Sequence, residues 1–279
     1  MNGAVLNNAQ TFLLEYRWPQ CQGVTAFPRR ASEICKQLST AILWHQATSV
    51  LLIVSLLGLF TFFVSPHVGW CLVVVCAVMI MLKVWVIATR GVHLNYKMDR
   101  NWRNYANTRM APFTYMSKCV QLWEITSSSA HYGLEKKYHA GCGASVSREK
   151  VNVDHGLPFP FRANIKGYVL RLHGAKFVFL PDCVYVIQGH RCQPLSYEQI
   201  KWQINMTNFV ESGSVPPDAQ IVDQTWQYVN KKGGPDRRFS YNPQLPVCRY
   251  GELSLVFGRI YNVTLQLSGT KMVEGIMRL

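Results

Sequence analysis

Hydrophobic and polar positions follow two different rhythms along this chain. Residues 37–82 form a run of 46 without Lys, Arg, Asp or Glu. A helix that crosses a bilayer needs roughly 20 mostly apolar residues. Residues 41–64 and 68–88 each supply that length, separated by Ser65-Pro66-His67, with Lys83 as the one charge inside them. Proline lacks an amide hydrogen and disfavours helix in the residue before it, so Pro66 ends the first helix and turns the chain. The pattern predicts a transmembrane hairpin. A soluble helix pair would need a polar face on each helix, and neither segment has one.

After residue 164 the rhythm becomes that of strands. Residues 168–172 and 176–180, a Pro181-Asp182 turn, residues 184–187 and a break at Gly189 read as consecutive antiparallel strands. Trp202, Ile204 and Met206 alternate with polar neighbours, and residues 221–229 and 247–256 make further runs. Tyr261, Val263, Leu265 and Leu267 alternate with Asn262, Thr264, Gln266 and Ser268, which predicts a strand with one wet face. Gly269 then opens a helical ending over residues 270–279. About seven such strands suggest a small barrel or sandwich closed by a terminal helix.

The segments between are less regular. Residues 1–36, with Trp18-Pro19, Gly23 and Phe27-Pro28, read as an irregular arm. The apolar run starts too late and is too long for a cleaved leader, so the first span is expected to act as a signal anchor. Residues 91–123 are basic and aromatic, helical to about Met110 and interrupted at Pro112. Residues 126–164 read as loops around one short strand near 146–153. The fold class is therefore α+β: an arm (1–40), a transmembrane hairpin (41–90), a basic juxtamembrane helix or linker (91–125) and a mostly-β cytoplasmic domain (126–279).

Charge sharpens the topology. The net charge is +14. Arg17, Arg29, Arg30 and Lys36 precede the hairpin; Arg90, Lys97, Arg100, Arg103, Arg109 and Lys118 follow it, opposed only by Glu15, Glu33 and Asp99. Positive flanks mark the cytoplasmic side, which places both termini there, against anionic headgroups. Trp44, Trp70 and Trp85 suit the membrane interface, with Lys83 and Arg90 beside them; His45, Gln46 and Lys83 lie close enough to the cytoplasmic ends to snorkel. Small and polar residues in the spans would allow oligomers. The basic and aromatic stretch could stack bases, but a headgroup surface accounts for it more simply, so nucleic acid is not favoured. Nine cysteines without a Cys-x-x-Cys pair fit free thiols in a reducing compartment.

Signatures of chemistry are sparse. His131, His139, His155, His173 and Cys142 lack the tight spacing of a zinc site, so no metal is expected. Asp182, Glu198 and Lys201 resemble a nuclease set only loosely, because Glu198 and Lys201 would face opposite sides of a strand. No Gly-x-Ser-x-Gly, phosphate-binding loop or His-Glu-x-x-His occurs. No catalytic residue and no cofactor is assigned. The best ligand site is the loop with Lys231, Lys232, Gly233, Gly234, Arg237 and Arg238, where glycine backbone and arginine forks would cradle a phosphate. The competing reading is a long hairpin loop in which Asp236 pairs with an arginine and Phe239 plugs the core.

The stretch Thr225-Trp226 through Gly233-Gly234-Pro235-Asp236-Arg237-Arg238-Phe239 to Tyr250-Gly251-Glu252 resembles a segment of bacterial, often membrane-linked proteins of uncharacterised function. The strand run before it is similar in layout to pleckstrin-homology-like barrels. The resemblance covers residues 140–279 and implies no catalytic residues. Taken with the hairpin and the charge pattern, the expected function is that of a module anchored in a bacterial inner membrane that recognises a phosphate-bearing ligand, a lipid headgroup or a protein, with a homo-oligomer expected. An alternative is a nucleotide-activated, membrane-perturbing effector of antiphage defence, similar in its layout of two spans plus a barrel; a membrane-tethered enzyme is the weaker option.

Overall fold

The computed structural model describes residues 2–6, 14–15, 27–58, 66–96, 100–130, 140 and 144–279. Two long apolar helices, α1 (Phe27–Gly58) and α2 (Pro66–Thr89), form the hairpin. Pro66 is the first residue of α2, where its missing amide hydrogen has no helical partner to lose. The irregular arm predicted for residues 1–40 is corrected from Phe27 onward. Ala31, Cys35, Leu38 and Ile42 recur at helical spacing and are all buried, so these turns belong to α1 and to the core.

What they cover is a five-stranded antiparallel sheet in the order β11-β10-β9-β8-β6. Its strands are β6 (Val153–His155), β8 (Tyr168–Leu172), β9 (Ala175–Phe179), β10 (Val184–Gln188) and β11 (Arg191–Leu195). Tyr168, Leu170, Phe177, Phe179, Val184 and Val186 point to one face; Val169, Val178, Tyr185 and Ile187 point to the other. The second face receives Cys35, Leu38 and Ile42 of α1. Both faces are buried, which is why β8 to β10 read as nearly continuous apolar runs.

The first face meets a larger eight-stranded sheet. It contains β1 (Asn2–Leu6), β2 (Leu14–Glu15), β4 (Leu122–Ala130), β5 (Ala144–Val151), β12 (Ile200–Val210), β13 (Gln220–Trp226), β14 (Gln244–Phe257) and β15 (Tyr261–Leu267). Antiparallel pairings run β14–β15–β4–β5–β1–β12 and return to β14, while β13 and β2 attach outside that circuit. Strand β5 overlaps the short strand expected near 146–153, while β4 runs from the predicted linker into the stretch read as loop. A short parallel pair, β3 (Val92–Leu94) with β7 (Phe161–Ala163), links the end of the hairpin to the domain.

Helix α3 (Arg100–Met116) runs through Pro112, contrary to the interruption predicted there. Met110, Phe113 and Met116 enter the main core, and Phe113 stacks on Phe179 with ring centres 3.9 Å apart. Burial of these side chains offsets the hydrogen bond that proline removes. The helix expected in the 91–125 segment thus packs its Met110, Phe113 and Met116 into the core of the β-rich domain. The terminal helix α4 (Thr270–Met277) lies on β14 and against α3, with Val273 and Ile276 buried. It can approach because Gly251 and Gly275 lack side chains: a Cβ at Gly251 would collide with Val273, and one at Gly275 with the Tyr115 ring.

On its opposite face the eight-stranded sheet carries a buried ion pair. Arg148 of β5 donates through Nη2 to both carboxylate oxygens of Glu211 and through Nη1 to Gln266 Oε1 at 2.6 Å. Tyr250 donates its hydroxyl to Glu211 at 2.9 Å. The guanidinium lies 4.1 Å and 4.4 Å from the ring centres of Trp123 and Phe209. The wet face expected on the last strand accordingly ends early: Gln266 and Ser268 are fully buried, and only Asn262 is fully exposed.

Two stability changes follow from this packing. Gly251→Ala should destabilise the protein by about 1–3 kcal/mol through overpacking, with partial recovery on adding Val273→Ala, read from thermal unfolding. Glu211→Ala, which strands a buried guanidinium, should cost about 3–5 kcal/mol in the same measurement.

Candidate functional site

At the base of the hairpin, membrane-type helices and sheet are joined without a linker. Cys192 donates its backbone N–H to Ser39 Oγ at 3.0 Å, and Gln46 Nε2 donates to the Gly189 carbonyl at 3.3 Å. Arg162 donates to the Ile87 carbonyl at 2.8 Å. The Arg90 guanidinium lies 5.7 Å from the Trp44 ring and 5.8 Å from the Trp85 ring. Three of the predicted interface residues, Trp44, Trp85 and Arg90, thus converge. Lys83 sits within electrostatic reach of His45. Trp70 lies 15 residues before Trp85, about 22 Å away along α2.

Beyond Gln46 the described residues of the hairpin have little cover. Val50, Leu51, Ile53, Val54, Leu57, Val74, Met81 and Val84 are exposed. The helices touch each other through small groups, with Cys76 Sγ donating to Ser55 Oγ at 3.3 Å and Gly58 facing Leu72. Two helices are long and apolar enough to cross a membrane, and only 22% and 11% of their most apolar windows is buried. Because α1 is docked as far as Gln46, its free apolar part starts later than residue 41.

The cationic loop spans residues 227–243 between β13 and β14. Asn230 organises it: its Oδ1 accepts from the backbone N–H of Lys232 at 2.9 Å and of Gly234 at 3.0 Å. Gly233 supplies the φ of +84° that this turn requires. Asp236 is buried and holds Arg238 through Nε and Nη2. Phe239 stacks on Tyr228 with ring centres 4.0 Å apart, so it closes the loop and does not enter the main core. Lys231, Lys232 and Arg237 stand exposed. The loop brings all six predicted residues together, but two of its amides already serve Asn230 and Arg238 already serves Asp236.

A second cationic feature was not singled out as a site by pattern reading. A groove of about 640 Å³ opens between α3 and residues 154–168. Among the residues lining it, Arg103, Lys118, Lys166 and His155 are exposed, Ala106 and Met110 are buried, and Ile165, Trp102 and Tyr115 are half-buried. Among the described residues, none lining it is Asp or Glu. The nearby Asp154 is engaged by Arg171 Nε at 2.7 Å. The α3 residues recur every three or four positions, a helical stripe visible in sequence; Lys166 arrives from the opposite wall and only folding joins it to them.

Behind the groove lies a polar knot, buried at Arg109 and Tyr197 and half-buried at Tyr96 and Asp182. Arg109 donates to the Pro181 carbonyl at 3.0 Å and sits 4.5 Å from the ring centres of both Tyr105 and Tyr197. Asp182 accepts from the Tyr96 hydroxyl at 2.8 Å. Burial raises the Asp182 carboxyl above the usual range, partly countered by the Tyr96 hydrogen bond and by Arg109. Glu198 instead sits on a single 3-10 turn capped by Ser196, and Lys201 is exposed on β12. Among the described residues no His, Cys, Asp and Glu group is placed to hold a metal ion; His131, His139 and Cys142 lie outside them.

No protein-family model, curated protein or solved structure matches the chain.

Tyr96→Phe removes a donor from a half-buried carboxylate. It should destabilise the protein by about 1.5–3 kcal/mol near neutral pH. Because Asp182 titrates above its unfolded value and the lost bond favoured its ionised form, the deficit should shrink on acidification through that range. Denaturant titrations at several pH values would measure it.

Proposed function

We propose that this chain is a membrane-anchored binding module. The α1–α2 hairpin spans a bilayer, both termini lie on its cytoplasmic side, and the β-rich domain receives a phosphate-bearing ligand through its cationic surface. The circuit of strand pairings is read as a small barrel of pleckstrin-homology-like layout, held at a bacterial inner membrane. The observation that carries this reading is the apolar sheath of the hairpin beyond Gln46. A soluble protein rarely exposes a contiguous apolar patch above a few hundred Å². Arg90 between Trp44 and Trp85 supports a headgroup level at the hairpin base.

The membrane-perturbing effector is the second reading, and one feature favours it. Residues 31–46 of α1 are at once core of the domain and the start of the hairpin, so a shift of the five-stranded sheet on ligand binding would reach the bilayer directly. In that reading the hairpin does more than anchor.

Alkaline carbonate extraction of cell membranes should leave the full chain in the pellet. Reporter fusions at either end should be active only in the cytoplasm. Release into the aqueous fraction, or a C-terminal reporter active outside the cell, would overturn the proposal.

A further inference from the structure

We infer that the groove between α3 and residues 154–168 is the ligand site, and that its ligand is an organic phosphate carrying a flat ring. This rests on the reading that the module binds a phosphate-bearing ligand, and it moves the site away from the 227–243 loop. In that loop the amides of Lys232 and Gly234 are bound by Asn230, and the Arg238 fork is bound by Asp236. The cations lining the groove are exposed, where an anion can approach from solvent, and no carboxylate is among its described lining residues to oppose one.

The volume and the lining narrow the class. About 640 Å³ is far more than inorganic phosphate fills and lies within the usual range for small-molecule sites. The apolar lining at Ala106, Met110 and Ile165, with the edges that Trp102 keeps beyond its contact with Tyr96 and Tyr115 beyond its contact with Gly275, offers nothing to a bare polyanion. It suits a planar ring, which gains from lying against aromatic and apolar side chains. Arg103 lies in the first turn of α3 and Lys118 just past its last residue, so the charges bracket an extended ligand instead of focusing on one point. Lys166 and His155 face them from the other wall. A soluble nucleotide and a ring-bearing lipid headgroup share this chemistry.

The test uses the full chain in phosphatidylcholine nanodiscs, with ATP, inorganic tripolyphosphate and adenosine as probes in calorimetric titrations. ATP should bind saturably, with tripolyphosphate and adenosine each at least about tenfold weaker. The triple variant Arg103→Ala, Lys118→Ala, Lys166→Ala alters only exposed side chains and should keep the thermal midpoint while weakening ATP by about 10- to 100-fold. Adding a ring-bearing inositol phospholipid to the discs separates the sources: competition with ATP in the wild type points to a headgroup, and its absence to a soluble ligand. ATP binding unchanged in the triple variant, but lost in Lys231→Ala, Lys232→Ala, Arg237→Ala, overturns the groove and leaves the broader reading standing. No saturable binding of any probe, with or without the phospholipid, overturns the groove and that reading together.

Discussion

The contact on which this structure depends is that of the first turns of α1 with one face of the five-stranded sheet. Cys35, Leu38 and Ile42 are buried against Val169, Val178, Leu180, Cys183, Tyr185 and Ile187. Full burial of a Leu or Ile side chain contributes about 1.5–3 kcal/mol. Without that helix a sheet with two apolar faces would present one of them to solvent. With it, a single helix serves as core element at one end and as an apolar spanning segment at the other. The polar bonds at Ser39 and Gln46 set where the first role stops.

That constraint shapes the rest. The sheet's other face is free to meet the larger sheet, and Phe177, Phe179 and Phe257 interlock there. The larger sheet is curled enough for its pairings to form a circuit, and its far face encloses Arg148 and Glu211. A buried pair of this kind is a poor source of net stability, since desolvation consumes most of the attraction. Arg148, Gln266, Glu211 and Tyr250 come from four separate places in the chain, and their mutual hydrogen bonds require the strands that carry them to be in this alignment.

The two cationic features illustrate how local motif and site differ. The 227–243 loop stands out in sequence because glycines and cations are crowded into a short stretch. Once folded, Asn230 and Asp236 use much of that chemistry to hold the loop's own shape. The groove is diluted in sequence, with its cations spread from Arg103 to Lys166, and folding concentrates them around an apolar lining. Arg109 shows the same effect in the interior: a basic residue in an apparently surface-bound stretch becomes the cation between two tyrosine rings.

By itself the sequence determined the elements whose cause is local. The uncharged run of 46 residues predicts two long apolar helices, and the alternation from Tyr261 to Leu267 predicts a strand, and the described residues form both. The turns at Pro181-Asp182 and Gly189 were legible for the same reason, since they need particular backbone angles. The tertiary structure alone decided what depends on distant partners. These include the helical start at Phe27, the continuation of α3 through Pro112, the burial of Gln266 and the union of Lys166 with Arg103. A side chain's environment is set by whatever packs against it, and residues tens of positions away leave no mark on the local pattern.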